Sequence, residues 1–217
     1  MGGGVKGQSR EYDARGRREK ARATRRAVVE AARALLEERG YHATTIADVA
    51  RRAGVSPASI YKGFVTKAAL VKEVFDVTIA GDYEPVAVAD RPEAQRIQEE
   101  PDVRAKLRLY AEGASIRAAR SARVQLALRN GAAVDPAVDD LWQQVQAQRL
   151  TGMTMLARHL VGTGQLRAGM EVHEVSDVLW TCISVEVYDL LVLQRRWSIR
   201  AYVDWLARML IASLTDG

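Results

Sequence analysis

A chain of 217 residues, 48% of them hydrophobic, is long enough for one compact body with a small additional module. The charged fraction of 27% and the bias toward Ala, Leu, Arg and Glu favour helix over sheet, so we expect an all-α protein. No apolar run approaches the roughly 18 residues of a membrane span, and a single cysteine, Cys182, excludes an internal disulfide. These features predict a cytoplasmic protein with no membrane partner.

Positive charge is concentrated in the first third of the chain. Residues 1–72 hold 16 Lys and Arg against 7 Asp and Glu, a net +9, whereas residues 73–217 hold 16 against 20, a net −4. Such a division is typical of a protein whose basic end meets a polyanion. On charge alone, a solubilising tail is an equally good interpretation.

The first predicted helix begins after this basic segment. Apolar residues recur there with the period of a helix, on one stripe: Val28, Ala31, Ala32, Leu35 and Leu36. Thr24 can cap the helix at its start, and Gly40 suits its end. Residues 1–22 form a basic arm that we expect to be disordered and to follow a DNA backbone or enter a minor groove.

Two short helices with strong start signals follow. Thr45 is placed to cap the first of them, which ends at Gly54, and Ser56 with Pro57 opens the next, which runs to about Gly63. Two helices joined by a short turn that contains Gly describe a helix-turn-helix, whose second helix reads the major groove of DNA. Capped short helices also occur in ordinary bundles, but the adjacent basic arm favours DNA binding.

The stretch TTIADVARRAGVSPASIYKGFVTKAAL, residues 44–70, resembles the DNA-binding domain of TetR-family transcriptional repressors. The resemblance covers about residues 22–75. It implies a homodimer with an N-terminal three-helix DNA-binding domain, residues 23–70, and a C-terminal helical domain for effector binding and dimerisation, residues 71–217. Such a protein binds a double-stranded DNA operator and releases it when a small molecule enters the C-terminal domain.

The resemblance also implies which residues contact DNA. Thr45 would touch a phosphate, Tyr61 would place its phenol against the backbone, and Lys67 would pair with a phosphate. The chain departs from many members at Lys62 and Gly63, where an aromatic residue and His are common; Lys62 can still reach a phosphate or a guanine edge. The full set of predicted DNA contacts is Thr44, Thr45, Ser56, Pro57, Ala58, Ser59, Tyr61, Lys62 and Lys67.

The remaining two thirds of the chain is predicted as further helices. The spacing of apolar residues and the capping residues predict helices over Lys67–Ile79, Pro92–Glu100, Pro136–Leu160, Val172–Arg195 and Ser198–Leu214. A longer helix is predicted to begin at Val103 and to break near Arg120 and Ser121. The segment 82–93 has two prolines and no helical period, and we predict a loop there.

The helix over Val172–Arg195 is apolar on nearly all sides and must therefore be covered on all sides. With the last helix it predicts a four-helix dimer interface, although a thick monomer core is the alternative. The interface residues that we predict are Val178, Val185, Tyr188, Val192, Tyr202, Trp205 and Met209.

The family resemblance implies an effector pocket, and the sequence itself gives only weak indications of where it lies. Candidates are Tyr110, Gln125, Trp142, Arg149, Met153, Trp180 and Glu186. Glu186 stands among apolar residues and needs a partner, for which Arg149 is one option.

An enzyme is not expected. The three histidines, His42, His159 and His173, have neither metal-ligand spacing nor a catalytic arrangement, so we predict no metal and no cofactor. The competing hypothesis is a DNA-binding regulator without a small-molecule effector, either constitutive or controlled by a protein partner.

Overall fold

The computed structural model describes residues 5–84 and 86–216, and within them it contains helices, turns and loops but no strand. The helices are α1 (Val5–Arg39), α2 (Ile46–Ala53), α3 (Pro57–Gly63), α4 (Lys67–Ala80), α5 (Pro92–Glu99), α6 (Val103–Ala132), α7 (Pro136–Gly162), α8 (Val172–Cys182), α9 (Val185–Tyr188) and α10 (Ile199–Leu214). The chain forms two compact units, unit 1 (residues 1–74) and unit 2 (residues 75–217), and α4 carries the chain across their boundary. The predicted all-α fold with two domains is confirmed. In the part of the chain that the structure describes, every helix is too short or too polar to cross a bilayer.

Unit 1 is built around the apolar stripe of α1. Every predicted stripe residue is at most 6% exposed: Val28, Ala31, Ala32, Leu35 and Leu36. Val49 of α2, Ile60 of α3 and Leu70 of α4 are also buried, each at 1% exposure. Because burial of such a side chain stabilises a fold by roughly 1.5–3 kcal/mol, these contacts hold the short helices in place.

Helix α1 begins much earlier than the sequence predicts. The structure differs from the expected start at Thr24 and from the expected disorder of the arm, because the helix runs from Val5 through this segment. Residues 17–22 are Arg, Glu, Lys and Ala, which are good helix formers, and no proline interrupts them. The first four residues of the arm lie outside the described residues. Over residues 16–22, where the structure describes side-chain exposure, the basic side chains are exposed: Arg17, Arg18, Lys20 and Arg22.

Unit 2 has its core among α6, α7, α8 and α10, with α6 packed on α7 and α10, and α7 packed on α8. Leucines fill this core, each at most 1% exposed: Leu107, Leu128, Leu160, Leu179 and Leu206. The short helix α5 is fastened to α6 by Lys106, whose buried Nζ donates to the carbonyls of Ile97 (2.8 Å) and Gln98 (2.7 Å). Burial lowers the pKa of the Lys106 ammonium, but two carbonyl acceptors at the C-terminal end of α5 satisfy it.

The break predicted in α6 is wrong. The helix is continuous from Val103 to Ala132 and passes through Arg120 and Ser121. The Ser121 hydroxyl donates to the Arg117 carbonyl one turn earlier (2.7 Å), so the serine bonds within the helix instead of interrupting it.

The single helix predicted over Val172–Arg195 is also wrong. Helix α8 ends at Cys182, Ile183 leaves the helical conformation, and Ser184 caps α9 by accepting from the Val187 amide (3.4 Å). The chain then continues as a π-helical turn, Asp189–Gln194. A serine that can cap a new helix makes this break possible inside an apolar segment.

Candidate nucleic-acid interface

The turn between α2 and α3 is set by backbone conformation. Gly54 adopts φ 67° and ψ 31°, the left-handed region, and the Val55 amide bonds back to the Ala50 carbonyl (3.0 Å). Ser56 then caps α3 by accepting from the Ser59 amide (3.2 Å), with Pro57 at the first helical position. This arrangement is a helix-turn-helix, and the caps predicted at Thr45 and Ser56 are present.

Helix α3 buries one side and exposes the other. Ile60 is 1% exposed and Phe64 is 5% exposed, so these two side chains hold the helix against the core of unit 1. The outward side carries most of the predicted DNA contacts, all of them exposed: Ser56, Pro57, Ala58, Ser59, Tyr61 and Lys62. Their exposure leaves them available to a groove, and we call this set the reading face.

The two serines of the reading face are bonded to each other. Their hydroxyls share a hydrogen bond of 2.9 Å, while Ser56 Oγ also accepts from the Ser59 amide. A hydroxyl used in a cap has less capacity for a base edge. The side chains best able to donate to DNA from this face are therefore Tyr61 and Lys62.

Arg25 of α1 holds the C-terminal end of α3, a role that the sequence did not reveal. Its Nη1 donates to the Gly63 carbonyl (3.2 Å), its Nε donates to Glu73 Oε1 of α4 (2.6 Å), and its guanidinium lies 4.2 Å from the centre of the Phe64 ring. Arg25 thus joins α1, α3 and α4. Its partners stand 38 and 48 residues away along the chain, so no local pattern could have indicated the contact.

Lys67 is engaged inside unit 1. Its Nζ donates to the Tyr41 carbonyl (2.6 Å) and lies 3.7 Å from the centre of the Tyr41 ring. The ammonium has three N–H donors, so a phosphate contact does not require the loss of this bond to the carbonyl. The phosphate role that the resemblance implies stays a prediction, and the structure gives the side chain a further role in stabilising the turn after α1.

The two threonines before α2 differ in their surroundings. Thr45 is exposed, and its Oγ1 accepts from the Asp48 amide (3.1 Å) and donates to Asp48 Oδ2 (2.8 Å), which lowers the pKa of that carboxyl. Thr44 is only 3% exposed, and its hydroxyl donates to the Gly40 carbonyl (2.8 Å). The Thr44 hydroxyl is therefore used inside unit 1, and its contact with DNA stays a prediction.

In unit 2 the structure brings some of the predicted effector residues together in pairs. The Tyr110 hydroxyl donates to the sulfur of Met153 (3.1 Å), and Arg149 donates to the Trp180 carbonyl while its guanidinium lies 3.9 Å from the centre of the Trp180 ring. Glu186 is not paired with Arg149, as the sequence had suggested, but accepts from Arg129 (2.8 Å). Gln125 donates to the Ser121 hydroxyl (2.8 Å), and Trp142 is buried at 9% exposure.

The predicted dimer residues divide into two groups. Val185, Tyr188 and Tyr202 are at most 5% exposed inside unit 2, and the rings of Tyr188 and Tyr202 meet edge to face with centres 5.1 Å apart. These three fill the core of their own chain, so they cannot form a surface between two chains in this conformation. Partial or full exposure remains for the others: Val178, Val192, Trp205 and Met209.

Comparison with known proteins agrees with this geometry. Residues 28–74, which include the helix-turn-helix, match the family model described as bacterial regulatory proteins, tetR family. The probable HTH-type transcriptional regulator ArpR of Pseudomonas putida is 27% identical over 169 residues, which are 76% of this chain and 79% of ArpR.

Solved structures share the fold over most of their length. The transcriptional regulator FadR of Bacillus subtilis, in complex with stearoyl-CoA, has a TM-score of 0.69 at 19% identity, over 86% of this chain and 97% of FadR. NalD, the secondary repressor of the MexAB-OprM multidrug efflux pump in Pseudomonas aeruginosa, has a TM-score of 0.67 at 20% identity, over 90% of this chain and 98% of NalD. The helix-turn-helix, its match to the family model over residues 28–74 and the similarity to ArpR support a TetR-family transcriptional regulator.

Proposed function

We propose that this regulator is a homodimeric repressor that binds a double-stranded DNA operator through the reading face of α3 and releases it when a small molecule binds in unit 2. The observation that carries the first half is the exposed face of α3, which is fixed from below by Ile60 and Phe64. A helix anchored in this way can enter a major groove without rearranging the core beneath it. The protein would work in the cytoplasm, where bacterial DNA lies.

The chemistry of the reading face indicates how an operator would be recognised. Pro57 and Ala58 are small and apolar, so they allow close approach and favour contacts with thymine methyl groups. Lys62 can donate to a guanine edge or a phosphate, and Tyr61 can donate to a phosphate oxygen. Few side chains can form two hydrogen bonds to one base, so DNA shape would supply part of the specificity.

Repression and release are supported by the family and by its structural neighbours. NalD is described as a repressor, and FadR was solved with an acyl-CoA in place. For this chain the corresponding proposal is a pocket among α6, α7 and α8, lined by the pair Tyr110 and Met153 and the pair Arg149 and Trp180. A dimer would place two reading faces on successive major grooves about 34 Å apart.

Selection of bound sequences from random DNA with the full chain tests operator binding. We expect one palindromic or near-palindromic site, and Lys62→Ala should weaken binding to it by about tenfold, since a specific base or phosphate contact is worth roughly 1–3 kcal/mol. Arg108→Ala removes another exposed positive charge, from α6 in unit 2, and serves as the matched control. Failure to enrich any sequence at any salt concentration would refute operator binding.

The alternative is a regulator that binds DNA without a small-molecule effector. A screen of metabolites and drugs for release of the selected operator distinguishes the two. Release by at least one compound class supports ligand control, whereas an operator that no compound releases favours constitutive binding or control by a protein partner.

A further inference from the structure

Two arginines in unit 2 are partly buried without a neutralising partner. Arg117 of α6 and Arg149 of α7 are both half-buried, and burial lowers the pKa of each guanidinium. Among the described residues, no carboxylate lies within ion-pair distance of either. Glu93 acts on Arg117 and Glu186 acts on Arg149 only from further away, and Glu186 is bound by Arg129. A buried positive charge is costly unless an anion or strong hydrogen bonds compensate it.

One contact fixes how the helices that carry these arginines face each other. Helices α6 and α7 are joined by a short turn at residues 133–135 and pack on each other, and the Tyr110 hydroxyl reaches the sulfur of Met153 (3.1 Å). In an antiparallel pair this contact places the turns that carry Arg117 opposite those that carry Gln146. Positions 110, 114, 117 and 121 follow one stripe of α6, and positions 142, 146, 149 and 153 follow one stripe of α7. The arginines therefore lie on facing stripes.

Polar groups on these stripes lack good partners. Within the described residues, the buried Oε1 of Gln146 has no hydrogen-bond donor. The Tyr110 hydroxyl has only a thioether as acceptor, and sulfur is a weak one. Burial raises the pKa of Tyr110 to about 12, so the phenol stays protonated and can donate to a stronger acceptor.

The Arg117 guanidinium has room beside Gly113 but forms no hydrogen bond or ion pair with the described residues. A methyl group on Gly113, one turn earlier, would lie 3.2 Å from Arg117 Nη1, so the absent side chain leaves room for the guanidinium. No hydrogen bond or ion pair involves the Arg117 side chain in the part of the chain that the structure describes. Arg149, by contrast, already bonds to the Trp180 carbonyl.

We propose that the effector is an amphiphilic anion whose carboxylate, sulfonate or phosphate is bound by Arg117 and Arg149 beside Tyr110, with its apolar part among Met153 and Trp180. The inference rests on the proposed function, because it names the chemical class of the effector. The anion would supply both guanidiniums with charge-assisted hydrogen bonds and give Tyr110 a strong acceptor. Binding would also draw Arg149 from the Trp180 carbonyl, next to the break between α8 and α9.

Three probes with the same tail and different head groups test the charge requirement: decanoate, decanol and decyltrimethylammonium. Binding to the full chain is followed by the fluorescence of its tryptophans, and release of the selected operator is followed in parallel by anisotropy of labelled DNA. We expect decanoate to bind at least about tenfold more tightly than decanol and to release the operator, since hydrogen bonds between charged groups are stronger than those to a neutral hydroxyl. Decyltrimethylammonium should bind more weakly than decanol.

Variants assign the effect to the two arginines. Arg117→Gln should remove the preference for decanoate over decanol, Arg117→Lys should restore part of it, and Arg104→Gln, a substitution near the start of α6, should change nothing. Arg149→Gln should act like Arg117→Gln, and thermal unfolding verifies that each variant is folded. Anilinonaphthalene sulfonate and its uncharged analogue phenylnaphthylamine repeat the comparison with an aromatic body.

The outcomes separate this inference from the function on which it rests. If neither anion binds more tightly to the native chain than to Arg117→Gln, the inference is overturned. Operator release that is independent of head-group charge would overturn the inference while supporting ligand control. Anion binding that depends on Arg117 but leaves the operator bound would support the inference and count against ligand-controlled release.

Discussion

Arg25 contributes to the position of α3 in addition to the buried Ile60 and Phe64. It bonds to the last carbonyl of α3, forms an ion pair with Glu73 of α4 and covers the Phe64 ring. An exposed ion pair contributes little to stability, typically 0–1 kcal/mol. Its effect here is mainly geometric, because one guanidinium connects three helices beside the reading face.

Replacing Arg25 with Met should therefore affect DNA binding more than folding. We expect the free energy of unfolding to fall by about 1 kcal/mol, from the lost cation–π contact and the weak ion pair, and operator affinity to fall by about tenfold or more. Chemical denaturation and anisotropy of labelled operator DNA measure the two effects. Arg108→Met removes the same charge in unit 2 and should alter neither; equal losses of stability and affinity in Arg25→Met would count against a positioning role.

Lys67 offers a choice between a structural role and a phosphate contact. The structure favours the first, since its Nζ already bonds to the Tyr41 carbonyl and lies over the Tyr41 ring. We expect Lys67→Met to lower the free energy of unfolding by roughly 1–2 kcal/mol and to leave the salt dependence of operator binding unchanged. A slope of log K against log[salt] reduced by about 0.9 per subunit would instead establish the phosphate contact that the family resemblance implies.

At the scale of elements, the helix-turn-helix depends on the conformation of Gly54. No atom lies within 4 Å of the position that a Cβ would take there, so the constraint on Gly54 is its φ of 67° and not space. Gly54→Ala should thus destabilise the protein by about 1 kcal/mol, and Gly54→Asn by less, because Asn tolerates the left-handed region. Denaturant unfolding of the two variants is the measurement; an Asn variant as unstable as the Ala variant would mean that some other constraint acts at this turn.

The basic start of α1 is a second element with a measurable function. Its exposed side chains Arg17, Arg18, Lys20 and Arg22 stand on a helix that continues into unit 1. If the arm neutralises about three phosphates per subunit, deleting residues 1–22 should reduce the slope of log K against log[salt] by roughly 2.7 per subunit. An unchanged slope would show that this segment does not contact DNA.

The prediction from sequence agrees with the structure where adjacent residues determine the conformation. It differs where contacts between residues far apart in the chain determine it. The caps at Thr45 and Ser56 and the turn at Gly54 could be predicted because each depends on a few adjacent residues. The segment Val172–Arg195 was predicted as one helix, because apolar residues on every side of it hide the break at Ser184. Arg25 and Arg117 were missed, because a basic residue on a helix gives no sign of which distant group it meets.

At the scale of the whole molecule, the proposed binding to two half-sites requires a dimer. The buried Tyr188 and Tyr202 are excluded as interface residues, which leaves the exposed side of α10 as the best part of the predicted surface. Met209 is 40% exposed there, and Trp205 one turn earlier is partly exposed with its ring stacked on Tyr202, 5.9 Å between centres. An interface core of aromatic and Met side chains is typical of protein association.

A charge at Met209 should therefore separate the two chains. We expect Met209→Glu to be monomeric in sedimentation experiments at concentrations where the native chain is a dimer, because an unpaired carboxylate in an apolar interface is costly. Its affinity for the full operator should fall by at least about tenfold, since two linked sites bind far more tightly than one, while its affinity for an isolated half-site should stay unchanged.

Met155 of α7 provides the matched control, because it is 54% exposed and lies outside the predicted interface. Met155→Glu adds the same charge to the same unit and should stay a dimer with native operator affinity. If Met155→Glu is monomeric and Met209→Glu is not, the interface lies on α7 and not on α10. If Met209→Glu is monomeric in solution but binds the full operator as tightly as the native chain, a dimer formed in solution is not required for tight operator binding.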